Sequence, residues 1–172
     1  MTAKEAMNIG KSAMEKLNFQ YDMIITNDSE ISRPVPLDQC NMIHLNVPLA
    51  NSLDTVQTAI TFYDGFCDIR TFPDPIRFDP KDRAKAVSVF ELLNHLNLYI
   101  KTGRFYADME TGDIALWIRI PYWVLEKLPE TLTDAVIVSY QYYSDVGEAI
   151  AGCVVGGFDA DEAIKFVDEK WS

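Results

Sequence analysis

A single α+β domain is what the 172-residue sequence predicts: one antiparallel sheet of about six strands, with helices packed mainly on one face. Three observations carry this expectation. Apolar residues recur at 3/4 spacing near both ends and once in the middle, and alternate with polar residues in between. Two segments with turn residues fold back so that their apolar side chains collect on one side. The chain is 48% apolar and 24% charged, with no interior linker, repeat or low-complexity run, so residues 1–172 can bury one continuous core. The expected order is α-β-β-β-β-α-β-β-α, with a short helix appended.

Ala3, Ala6, Met7, Gly10, Ala13, Met14 and Leu17 form the stripe of an amphipathic helix over 2–17. Residues 19–26 switch to period two and read as a strand. Pro34 and Pro36 place 28–41 in a loop that is long for a compact domain. Ile43, Leu45, Val47 and Leu49 alternate again and give a second strand. Asp64-Gly65 is a strong two-residue turn signal. Folding its flanks together sets Phe62 against Cys67, Thr61 against Asp68 and Ile60 against Ile69. One face then holds Val56, Thr58, Ile60, Phe62, Cys67 and Ile69. The other holds Gln57, Thr61, Tyr63, Phe66, Asp68 and Arg70.

Asp79-Pro80 predicts the start of a central helix, with Asp79 as N-cap. Its stripe is Ala86, Phe90, Leu93, Leu96, Asn97 and Ile100, and Gly103 is its expected stop. A second hairpin turns at 110–113 and pairs Met109 with Ile114, Ala107 with Leu116 and Phe105 with Ile118. Its opposite face pairs Tyr106 with Trp117 and Arg104 with Arg119. A long helix begins at Pro129-Glu130, carries Leu132, Val136, Tyr140, Tyr143, Gly147, Ile150 and Val154, and ends at Gly156-Gly157. Asp159 to Glu162 resembles a capping box for a terminal helix ending near Trp171.

The formal net charge is −11, concentrated in the last 72 residues, which carry −7. Nucleic acid is therefore not the expected partner, because phosphate binding needs clustered Lys and Arg. No stretch approaches 18 uninterrupted apolar residues, so no membrane span is expected. The first residues lack an apolar leader-like run. Cys40, Cys67 and Cys153 are widely spaced and form no CxxC, which together with that start reads as cytoplasmic. Cys67 and Cys153 fall at core positions. His44 and His95 stand alone, without ligands at metal spacing. Asp108, Glu110 and Asp113 cluster at a turn but match no calcium loop. The sequence contains no GxSxG, P-loop, GxGxxG or HExxH, so neither a cofactor nor a catalytic centre is expected. Nothing positions Asp, Glu and Cys40 together as a hydrolase would need.

Two features point to binding. The second face of the sheet carries Tyr63, Phe66, Arg70, Arg104, Tyr106, Trp117 and Arg119, the aromatic and arginine side chains enriched where proteins meet. It is expected either to hold a partner segment or to lie under the 28–41 loop. Such a sheet could also offer an edge strand to a partner chain. Ala149, Gly152 and Gly156 give the long helix a small-residue stripe, suited to close packing on the chain's own sheet or to a subunit contact.

Residues 89–97, followed by Gly103-Arg104-Phe105-Tyr106-Ala107-Asp108, Thr111-Gly112-Asp113-Ile114 and the Trp117 strand, resemble the YbjN family of bacterial proteins. The likeness runs over about 54–155 and is best defined from Leu93 to Ile118. Asn94, Asn97 and Gly103 belong to its motif, whereas the long loop and the terminal helix lie outside it. The resemblance implies a type III secretion chaperone-like fold, a homodimer, a role in sensory transduction regulation and no catalytic centre. It also implies binding of extended client segments on sheet and helix surfaces. Asn97, on the apolar stripe, is expected to bond the backbone of the Gly103-Arg104 strand. The leading expectation is a non-enzymatic, cytoplasmic protein-binding module. The alternative is a small-molecule sensor with a pocket between sheet and helices, gated by 28–41.

Overall fold

The computed structural model describes residues 1–24, 40–74 and 76–171. The expectations for residues 25–39, which make up most of the long loop and the end of the first strand, lie outside the described residues.

Among the described residues six strands form one antiparallel sheet: β1 (Asp22–Ile24), β2 (Met42–Pro48), β3 (Thr55–Phe62), β4 (Phe66–Pro73), β5 (Arg104–Ala107) and β6 (Ile114–Pro121). Their spatial order is β1-β2-β3-β4-β6-β5, so β6 is inserted between β4 and the strand that precedes it in sequence. Among the described residues five helices complete the fold: α1 (Ala3–Lys16), α2 (Arg83–Tyr99), α3 (Tyr122–Lys127), α4 (Glu130–Val155) and α5 (Ala160–Trp171). None of them is long and apolar enough to cross a membrane.

Strand alternation decides where the core lies. Ile43 and Leu45 of β2, Val56 and Ile60 of β3, Ile69 of β4, Phe105 of β5 and Leu116 and Ile118 of β6 all point to one side. They share a continuous apolar cluster with the buried faces of all five helices. Each fully buried Leu or Ile here is worth about 1.5–3 kcal/mol against exposure. α1 lies on β2 and β3, α4 crosses β3, β4 and β6, and α2 packs on β5 and α4, while α5 closes over α2 and α4. Gly10 lets α1 approach closely: a Cβ there would meet the Phe62 ring at 2.8 Å and Ile43 at 2.9 Å. Inside the core, the Tyr143 hydroxyl donates to the Thr71 carbonyl at 2.8 Å.

The first hairpin has the expected register, with Phe62 opposite Cys67, Thr61 opposite Asp68 and Ile60 opposite Ile69. The second is shifted by two residues: Phe105 faces Leu116, Tyr106 faces Ala115 and Arg104 faces Trp117. The turn sits one residue earlier, at 109–112 in place of 110–113, because the Asp108 N–H donates to the Asp113 carbonyl and the Asp108 carboxylate accepts from the Glu110 N–H. A shift by an even number leaves every side chain on its expected face.

Element boundaries and the α2 stripe correct further expectations. Asp79 closes a turn by accepting from the Lys81 N–H, and the N-cap of α2 is Asp82, whose carboxylate accepts from the Lys85 N–H at 3.0 Å. The buried stripe of α2 runs through Ala86, Val89, Leu92, Leu93 and Leu96, with Phe90 at its margin. α2 ends at Tyr99 with Ile100 extended, and Gly103 turns the chain into β5 at φ +80°, where a Cβ would meet Ile118 and the Trp117 carbonyl. Helix α3 has no counterpart among the expected elements. Its six residues, between Pro121 and Pro129, are too few to show a helical period, although Tyr122 and Leu125 are buried at i, i+3 spacing. The first strand starts at Asp22 and not at 19: Asn18, in the left-handed region at φ 54°, ends the α1 turn, and Phe19 packs on Tyr140. Other termini match. Thr2 and Glu5 make a capping box on α1, Gly156 ends α4 at φ 101°, and Asp159 and Glu162 cap α5 reciprocally.

Candidate functional site

The second face of the sheet carries no helix among the described residues. Each strand's non-core positions build it, and pairing places them in rows. One row crosses all six strands: Asp22, His44, Ala59, Arg70, Trp117 and Arg104. The next contains Met42, Thr61, Asp68 and Arg119. Tyr63 and Phe66 stand at one end, their rings stacked with centroids 5.1 Å apart. Tyr106 stands towards the other end. Tyr63 is 39% exposed, and Tyr106 and Trp117 are each 36% exposed. All seven residues expected to form the binding face therefore share one surface.

They do not share one state. Arg119 is engaged within the chain. Its Nε and Nη2 donate to the two Asp68 carboxylate oxygens at 2.7 and 2.9 Å, a two-pronged, charge-assisted contact. Its guanidinium lies 4.0 Å from the Phe66 ring centroid and 4.8 Å from that of Trp117. Asp68 is 2% exposed. Arg119 thus neutralises a buried carboxylate and braces two rings, and is not free to hold a partner. Arg70 and Arg104 are exposed, and neither forms an ion pair among the described residues. Burial pushes the Tyr106 hydroxyl pKa up, with the charge of Arg70 pulling the other way.

Asp68 is visible on this face from the hairpin alone, but its partner is not. The Asp68–Arg119 contact exists because β6 lies beside β4, and the only sequence signal is an acid in alternation with aromatic and arginine residues. Ala59 and His44 likewise reach the site only through the six-strand row.

The remaining candidates lie elsewhere. Asn97 is half-buried at the margin of α2. Its Nδ2 donates to the Phe105 carbonyl at 2.9 Å and its Oδ1 accepts from the Phe105 N–H at 2.8 Å. The bonded residue is Phe105, one position beyond the expected Gly103-Arg104. Asn94 is exposed on the same helix. Phe105 belongs to an edge strand, so the Asn97 amide supplies what a neighbouring strand would, and that edge is closed at Phe105 to strand addition. Ala149 is wholly buried in the core, Gly152 lies against the Phe158 ring, and Gly156 ends α4 while the Lys85 ammonium donates to the nearby Cys153 carbonyl at 2.8 Å. The small-residue stripe thus meets the chain's own elements.

Cys40, Cys67 and Cys153 are all buried, and Cys67 and Cys153 are thiols. Burial, with Asp68 adjacent, pushes the Cys67 thiol up to about 12. His95 is in contact with the Asp168 carboxylate at 2.7 Å, and Tyr99 donates to the same oxygen at 3.1 Å. At the acidic turn, Asp113 pairs with Arg77 at 2.7 Å and accepts from the Thr111 hydroxyl, so its acid is used locally. Among the described residues no group of three His, Cys, Asp or Glu side chains stands ready to hold a metal ion. An open cleft of about 240 Å³ lies on the helical side, where β6 continues past the end of β5. Ile118, Ile120, Val124, Ala135 and Val138 give it an apolar lining, and Asp134 lies at its margin.

Comparison with protein-family models, with curated proteins and with solved structures finds no match for this chain.

Proposed function

We propose that this chain is a non-enzymatic, cytoplasmic protein-binding module that holds a segment of a partner polypeptide on the aromatic and arginine face of its sheet. One observation carries the reading: a sheet face without a covering helix among the described residues exposes Trp117, Tyr106 and Tyr63 beside Arg70 and Arg104. Large rigid rings give contact area at low entropic cost, and arginine adds directed hydrogen bonds. Cys67 and Cys153, both thiols, support a reducing compartment. The resemblance of Leu93 to Ile118 to the YbjN family, and through it to chaperone-like client binding, points the same way.

The test is affinity capture from the source cell's cytoplasm with the native chain and a Tyr106→Ala/Trp117→Ala variant. Arg119 is left untouched because its loss would strand Asp68. The reading expects a specific protein retained by the native chain and lost by the variant, with unchanged circular dichroism. Equal retention by both removes this face as the binding surface. A second reading, a small apolar ligand bound between sheet and helices, is favoured by the cleft beside β6. It expects a ligand-dependent rise in melting temperature that Ala135→Trp abolishes.

A further inference from the structure

We infer that the partner segment is acidic and extended, and that Arg70 and Arg104 each receive one of its carboxylates while an apolar side chain between them rests on Trp117. This rests on the sheet-face reading above and specifies the chemistry of its partner. The argument is charge complementarity on a chain that is otherwise strongly acidic. Three arginines stand on the face, and Asp68 neutralises only Arg119. Arg70 and Arg104 lie in the row through Trp117, one strand to either side of it. They form no ion pair among the described residues, in a molecule whose net charge is −11. A planar guanidinium presents a fork of N–H donors that matches a carboxylate.

Geometry sets the spacing. Two strand intervals separate the arginine backbones by about 10 Å, which is the span of about three residues of extended chain. An extended chain turns alternate side chains to one side, so two acids at i and i+4 face the sheet together, within reach of the long arginine side chains, and an apolar residue at i+2 passes over the indole. Nucleic acid fits less well: two free arginines on an acidic molecule supply far fewer phosphate contacts than a strand requires.

The experiment titrates the full chain with short fluorescein-labelled peptides carrying two Glu at spacings from i+1 to i+5, with Leu between them. Fluorescence anisotropy reads binding at low salt. The expected result is tightest binding at i+4, loss on replacing both Glu by Gln, and weakening as salt rises. Arg70→Gln and Arg104→Gln each weaken binding about fivefold, and Arg→Lys at either position retains part of it. Thermal melts confirm that these exposed substitutions leave the fold intact.

Four results overturn the inference. One is binding that is indifferent to both arginine substitutions yet lost in Tyr106→Ala/Trp117→Ala, which leaves the sheet-face reading standing and its acidic partner wrong. Another is binding unaffected by either set of variants, in which case both fail. A third is absence of measurable binding by every diacidic peptide at about millimolar concentration, the weak limit for a short segment. The last is a better occupant: a single-stranded oligonucleotide that binds more tightly than the peptides at equal salt, or a second copy of this chain, seen as a dimer in sedimentation that Arg70→Gln/Arg104→Gln dissociates.

Discussion

Asn97 holds the outer side of β5 with a single amide. A strand at a sheet edge leaves alternate N–H and C=O groups unpaired, and Phe105 is one of the β5 residues whose groups face away from β6. One side chain that both donates and accepts satisfies both groups at 2.9 and 2.8 Å. Asn97→Ala removes both bonds and is expected to cost ~1–3 kcal/mol. A thermal melt within error of the native chain would show that water replaces the amide without loss. Cys67 makes a second test at this scale. It is wholly buried on the core side of β4, and its thiol pKa is pushed up to about 12. The thiolate is the reactive form, so Cys67 is expected to resist iodoacetamide at about pH 8 until the protein unfolds. Labelling of the native chain at Cys67, read by peptide mass mapping, would mean that β4 opens readily.

The capping residues do for whole elements what Asn97 does for one strand. α1 and α5 each begin with a reciprocal box, Thr2 with Glu5 and Asp159 with Glu162, which satisfies backbone donors that the helix leaves open. α5 is further held by polar and aromatic contacts: Asp168 meets His95 and Tyr99 of α2, and the Trp171 ring lies near Tyr99 and Tyr142. The hydrogen bond with His95, assisted by Tyr99, keeps the Asp168 carboxyl below its ordinary value of 3.8. A depressed carboxylate stabilises the fold above its unfolded pKa, and that contribution disappears as pH falls through the folded value. The melting-temperature difference between the native chain and Asp168→Asn is therefore expected to be largest near neutrality and to shrink below about pH 4. A difference that does not change with pH would mean that the contact does not depend on the charge.

At the scale of the molecule, one apolar cluster includes side chains from the first helix to the last. Among the described residues the sheet has no second core on its other face, where the Asp68–Arg119 pair and half-buried rings take its place. Such a chain is expected to unfold as one unit. Urea transitions followed by far-ultraviolet circular dichroism and by tryptophan fluorescence should coincide. Separate midpoints would divide the molecule at the α2 connection, which carries the chain from β4 to the far edge of the sheet.

Local rules determined much of this protein from sequence alone. Alternation named the core and outer faces of β2, β3, β4 and β6, because the side-chain period of a strand is two and an error of two residues in the second hairpin changes no face. Caps and glycines bounded α1, α4 and α5 because terminal backbone groups need short polar side chains or positive φ. Non-local pairing was left to the tertiary structure. That β6 enters between β4 and β5 depends on how α2 spans the sheet, and no spacing along the chain encodes it. That single choice joins Arg119 to Asp68, removes Arg119 from the surface available to a partner, and leaves Arg70 and Arg104 on either side of Trp117. The residue types of the site are a property of the sequence. Their arrangement is a property of strand order, because charges and rings act over a few ångströms of space, whatever their separation along the chain.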